Sequence, residues 1–555
     1  NTTTGADKTV AIGSSALFAL TTGSGNVAVG YTALTALTSG GSNIAIGETA
    51  LEDLVTGGAN VAVGRNAGKE MGAGENGNIL IGMAAGQSLD EGTNGTIDSN
   101  IAIGKDSFIG GDLNTASTAI TGNIAIGTDA LNSTGTNAQE GTIAIGHQAL
   151  TALTSGGSNI AIGYESQLYQ TDGANNVSLG YKAFRNADNG ESLNTVIGTK
   201  AGEFVNHASS DGNTIVGTQA MVGGTGARTY NTAMGYRAMG SGNTQNNIGA
   251  EENVFIGAFS GNGTWTGDTS NYNTAIGAYT MDAALDGALY NVAVGYQALS
   301  TQTSGDYNTV IGAQAGLDST TGAVNTLIGY RAGWEIIDGT ENTFIGASAG
   351  LLTTAVVGAT LIGREAGGGG VITTDANYTT GVGFQSLYDL TSGAQNTAIG
   401  AHCADDITSG GYNTAVGKSA LATLTTGSNN VALGRTALST AADDESDNVV
   451  IGMNAMGSSK QGGTASATDR EVKQNVAIGS GALTGGTLAS TSHLEGNVAI
   501  GYNCMDGTGT AGAIETIAIG TNALGGSWGG NCHRNIGIGA YVMDAAMSDA
   551  QSNIG

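Results

Sequence analysis

The chain of 555 residues has no proline, three cysteines, 5% aromatic residues and 11% charged residues, and each scarcity excludes something. Three scattered cysteines cannot form the framework of a small disulfide-stapled domain. No stretch approaches eighteen consecutive apolar residues, which rules out a membrane-spanning helix, and no basic amphipathic helix is present to lie on a bilayer. Lys and Arg together number 17 against 45 Asp and Glu, for a net charge of −28. Such a surface cannot neutralise phosphates, so nucleic acid is excluded as a partner. What is abundant is glycine, with 96 residues, beside 40% hydrophobic residues. This composition is far from that of an ordinary globular domain. Hydrophobic residues at fixed intervals separate it from disorder and call for a repetitive explanation.

The repeat reads Asn, a β-branched residue, Ala, Ile or Val, Gly, two variable residues, a small residue, then Leu, Met or Gly, and a polar loop. Asn26-Val27-Ala28-Val29-Gly30, with Tyr31-Thr32-Ala33-Leu34 after it, is one copy; Asn396 to Gly400 and Asn430 to Gly434 are others. About twenty-nine copies run from Gly13 to Gly539, most often roughly seventeen residues apart. No change in composition divides them, so residues 1–555 are expected to form a single repeat region. The chain begins without methionine and stops part-way into a repeat, and it is read as a segment of a longer fibre chain.

Residues at i and i+2 of a strand share a face. The β-branched column and the Ile/Val column are therefore expected to face inward together. The small column three residues after the glycine marks a tight place, where a second short strand or turn is expected. The few apolar residues of one unit cannot offset the ordering entropy of the whole unit, so units must stack. The expected fold is all-β, a parallel β-solenoid of about thirty coils, and at about 4.8 Å per coil a rod of roughly 140 Å. Stacked corner amides should bond from coil to coil at Asn26, Asn43, Asn60, Asn100, Asn273, Asn342, Asn396 and Asn430. The Leu/Met/Gly column is expected to pack against neighbouring chains, with a homotrimer preferred.

The Asn-Val-Ala-Ile-Gly units, such as Asn475 to Gly479 and Asn497 to Gly501, resemble the YadA-like head repeats of trimeric autotransporter adhesins and related arrays in bacteriophage tail fibres. The resemblance spans essentially the whole chain. It implies a left-handed parallel β-roll, three chains side by side, and attachment to a cell or matrix surface. Adhesin-head units are usually a few residues shorter and often have Ser where Asn stands here. The long uninterrupted array is slightly more like a phage fibre.

The search for chemistry finds no catalytic, cofactor or metal site. Cys403 and Cys504 occupy the small column and read as buried hydrophobes. Cys532-His533 lies in a late loop, where a symmetric ligand pair on a trimer axis is a remote reading. The five histidines are dispersed, no Gly-rich stretch joins a strand to a helix, and no carboxylate pair suggests glycan cleavage. The acidic stretches Asp443-Asp444-Glu445 and Glu251-Glu252 read as solvated surface more readily than as calcium sites. Candidate surface-binding residues are the tyrosines after the anchor glycine, Tyr31, Tyr164, Tyr181, Tyr236, Tyr296, Tyr330 and Tyr502, whose rings could stack on sugars with avidity along a rod. Trp265, Trp334 and Trp528 are candidate loop anchors. Longer excursions at 88–99, 111–121, 241–252, 458–473 and 484–495 are further places for binding.

These features point to an extracellular fibrous attachment protein, on a virion or a bacterial surface, whose partners are copies of itself and a cell-surface glycan or protein receptor. The alternative is a structural filament or spacer with binding located elsewhere. An ice-binding solenoid ranks third, because the Thr column, with Thr309, Thr326, Thr343 and Thr397, is expected to face inward.

Overall fold

The structure is a computed structural model that describes residues 6–90, 96–110, 119–133, 139–188, 190–224, 226–240, 249–265, 268–440, 445–458, 460–461, 472–488, 492–509, 511–547 and 550–555. The chain divides into two compact units, Asn1–Gly287 and Ala288–Gly555. Both are built the same way. In each coil the three residues before the anchor glycine form a short strand. These strands run from Val10–Ile12 to Thr274–Ile276 in the first unit and from Val292–Val294 to Ile536–Ile538 in the second. Successive strands pair in parallel and in register, as Val27, Ala28 and Val29 do with Ile44, Ala45 and Ile46. Each unit is therefore a parallel β-solenoid with almost no helix, one turn of 3-10 helix at Thr374–Ala376 excepted among the described residues.

The strand faces are the reverse of the sequence expectation. The middle residue of every strand after the first, Val10–Ile12, is buried, and the residues on either side of it, mostly β-branched, point outward and are half-buried or exposed. Ala28, Ala45 and Ala62 are wholly buried, whereas Ile44, Ile46, Ile311 and Ile399 are exposed. Pleat geometry required only that i and i+2 share a face; residue hydrophobicity suggested the wrong one. The reason lies in volume. A coil this narrow has room at the strand centre for Ala and uses the next wall for bulk.

That second wall holds the Leu/Met/Gly column, expected to meet neighbouring chains. Leu34, Leu51, Leu150 and Leu299 are instead wholly buried inside their own chain. The column is coupled to the strand centre. Ala at the centre mostly goes with a large residue on the wall, as in Ala28 with Leu34 and Ala293 with Leu299, Ala62 with Gly68 being an exception. In most coils with a large centre the wall residue is Gly, as in Leu80 with Gly86, Leu327 with Gly333 and Phe344 with Gly350, whereas Ile215 and Val450 go with Met221 and Met456. A Cβ at Gly350 would sit 2.6 Å from Phe344 Cδ2. In most coils the core thus conserves volume, as close packing demands, and at Gly68 the space is filled from the neighbouring coils by Leu51 and Leu80.

Among the described residues no strand begins at the small column. Its backbone turns there, and coil-to-coil bonds continue without a strand, as from Leu34 N to Ala50 O at 3.1 Å. Short second strands occur instead just before the Asn column of some coils, as at Leu494–Glu495 beside Ala513–Ile514. The anchor glycine closes the strand. At Gly30 φ is +146° and a Cβ would stand 2.2 Å from Gly47 O, so only glycine fits.

Candidate functional site

The Asn column forms the inner corner before each strand. Asn43 donates from its backbone N and from Nδ2 to Asn26 Oδ1, at 2.9 and 3.2 Å. It also donates from Nδ2 to Gly57 O at 2.9 Å. Asn60 repeats this on Asn43, Asn100 on Asn78, Asn273 on Asn253, Asn342 on Asn325 and Asn430 on Asn413. Asn396 donates to Gly410 O and accepts from Asn413. At Asn43, two donations and two acceptances satisfy the side-chain amide. All eight side chains are buried, so they are out of reach of a glycan or ion in solution.

The outward strand face is flanked by two edges. The edge after the anchor glycine carries Tyr31, Tyr164, Tyr181, Tyr236, Tyr296, Tyr330 and Tyr502, all exposed. On three consecutive coils His147, Tyr164 and Tyr181 stack, with ring centroids 5.2 and 5.4 Å apart. Stacking along the column spends the ring faces on neighbours. Arg331 likewise covers Tyr330, 5.1 Å from its centroid. Tyr31, between Ser14 and Glu48 in its column, has no aromatic neighbour there and keeps its faces.

A second aromatic column escaped the sequence reading. Tyr230, Tyr272, Tyr290, Tyr307, Tyr378 and Tyr412 stand on the opposite edge, directly before the Asn column, and all are exposed. Tyr290 and Tyr307 stack at 5.2 Å. The recurring Tyr-Asn dipeptide was the signal. In Tyr230-Asn-Thr-Ala-Met-Gly-Tyr236 and Tyr290-Asn-Val-Ala-Val-Gly-Tyr296, tyrosines border the strand face on both sides.

The tryptophans are less accessible than their loop positions suggested. Trp265 is buried against Phe255 and donates from Nε1 to Gly261 O; Trp528 is buried and donates to Leu524 O. Both seal the core. Trp334 is half-buried, with Arg331 4.9 Å from its ring centroid.

Cys403 and Cys504 lie wholly buried in the small column, and burial pushes their thiols up to about 12 and about 11. Neither is a nucleophile at neutral pH. Cys532 is also buried, in the strand Cys532–His533 rather than a loop, so its thiol faces its own core and not a symmetry axis. Among the described residues no three His, Cys, Asp or Glu side chains come close enough to hold a metal. Among the described residues no helix is long and apolar enough to cross a membrane. Asp443, Asp444 and parts of all five longer excursions lie outside the described residues.

The most extensive candidate surface is thus the outward strand face itself. It is two columns wide, Val/Ile/Thr beside Ile/Val, and no charged residue occurs in either column. No protein-family model matches the chain, and no curated protein matches it.

Proposed function

We propose that the chain is an extracellular fibrous attachment protein, a tail-fibre or trimeric-adhesin segment, whose copies associate through the outward strand face. The observation that carries this reading is the face. An uncharged β-branched strip repeated on every coil is larger than the scattered apolar residues a monomer ordinarily exposes. A second copy has the same coil rise, so it matches the strip rung for rung. Burying a half-exposed Ile contributes about 1 kcal/mol, which over many rungs exceeds the cost of association. Three chains around an axis enclose such a face completely, and the repeat resemblance favours that number. The tyrosine edges then remain beside the seams, where a receptor can reach them.

Attachment is tested by passing the labelled segment over immobilised glycans and extracellular-matrix proteins. Retention that weakens in Tyr31→Ala and Tyr502→Ala variants is expected. No retention on any surface would move the spacer reading to the front.

The outward Thr column supports a second reading. Thr309, Thr326, Thr343, Thr360, Thr380, Thr397 and Thr414 stand on consecutive coils beside Ile or Val. The argument against ice binding was that this column faced inward. A chain that stays monomeric would expose a flat Thr/Ile array able to order water.

A further inference from the structure

The two edges of the strand face differ in charge. On the edge after the anchor glycine stand Arg65, Lys105, Lys182, Lys200 and Arg237 in the first unit, and Arg331, Arg364, Lys418 and Arg435 in the second. That is more than half of the 17 basic residues of a strongly acidic chain. Five carboxylates stand there too: Asp106, Glu165 and Glu365 are tied to Lys105, Arg185 and Arg364, and Glu48 and Asp129 leave the cations in the majority. On the opposite edge, in the two positions before the Asn column, stand Asp211, Glu251 and Glu252 in the first unit and Asp306, Glu341 and Asp447 in the second. Of the cations on that edge, Lys473 and Arg534 are paired with its own Glu495 and Glu515.

We infer that these edges pair between copies of this chain, the basic edge of one against the acidic edge of the next, and so fix a parallel, head-to-side assembly. This rests on the self-association reading above and adds its polarity. Rotation about an axis along the stack sets the right edge of each chain against the left edge of its neighbour. Antiparallel pairing would oppose basic with basic and acidic with acidic, which is repulsive. The spacing agrees. A basic residue on one coil is followed on the next coil by an acidic residue at the other edge in Lys200 with Asp211, Arg237 with Glu251 and Glu252, Arg331 with Glu341, and Arg435 with Asp447. Among the described residues Arg237, Arg331 and Arg435 make no ion pair within the chain. They instead contact Gln219, Gln314 and Met453. Exposed or half-buried cations held by neutral partners on one edge, and carboxylates one coil further on at the other, are what a repeating interchain seam requires.

The test uses the full chain and light-scattering mass at low salt. Arg331→Glu/Arg435→Glu should raise the concentration for half-dissociation by about tenfold or more. Glu341→Arg/Asp447→Arg should do the same, and all four changes in one chain should restore assembly. The restored quadruple variant shows that the double variants had not simply misfolded. A wild-type chain that assembles, with double variants that assemble equally well, would overturn the edge pairing and leave self-association standing. A monomeric wild-type chain would overturn both.

Discussion

Asn325 donates from its backbone N and from Nδ2 to the same oxygen, Asn308 Oδ1, at 3.0 and 3.2 Å. The Asn325 amide serves the next coil too. Its Oδ1 accepts from Asn342 N and Nδ2, and its Nδ2 donates to Gly339 O at 2.8 Å. Asn325→Ala removes one rung and leaves Asn342 N and Gly339 O without their partners in a buried corner. Unpaired buried groups cost about 1–3 kcal/mol each. Urea unfolding should show a loss of about 3 kcal/mol. Unchanged stability would mean that the ladder is ornamental.

The exchange of volume between strand centre and wall is measurable at Phe344 and Gly350. Phe344→Ala alone should destabilise by about 3–5 kcal/mol through the cavity it leaves. Gly350→Leu alone overfills the same space and should also destabilise. Together they recreate the Ala-Leu pairing of Ala293 with Leu299, at a backbone position where Leu already occurs with positive φ. The double variant should be more stable than the sum of the two changes predicts, with a coupling of about 1–3 kcal/mol in a double-mutant cycle.

Asp282 supplies a pH signature. Burial raises its carboxyl to about 6 from an ordinary value of 3.8. The folded state therefore holds this proton more tightly than the unfolded chain does. Stability linked to Asp282 is fully present below the unfolded value and declines as pH rises through about 6. In Asp282→Asn that decline should vanish, so the variant gains on the wild type between pH 4 and pH 7 in thermal melts at fixed ionic strength. Parallel pH profiles for the two proteins would contradict the assignment.

The period, the parallel coils, the Asn corner and the tight small column were all visible in the sequence, because each imposes one residue type at one spacing. The direction of the strand faces was not. Val27 and Val29 look more like core than Ala28 does, and nothing local says that the interior is too narrow for them. Leu34 was misplaced for the same reason. Its alternation with Gly makes sense only beside the size of residue 28 or 344. The second tyrosine column was legible but was obscured by the Asn it precedes. The distribution of charge between the edges could be read only after the structure had shown which residues border the outward face.

The outward strand face is the centre of this account, and the molar mass of the chain in solution tests it most directly. By light scattering at micromolar concentration, the wild-type segment should have three times its chain mass of 54.6 kDa. Ile328→Asp/Ile345→Asp, two changes on the face and outside the core, should have one chain mass with an unchanged circular dichroism spectrum. A wild-type chain at 54.6 kDa, or a face variant that still assembles, would contradict it.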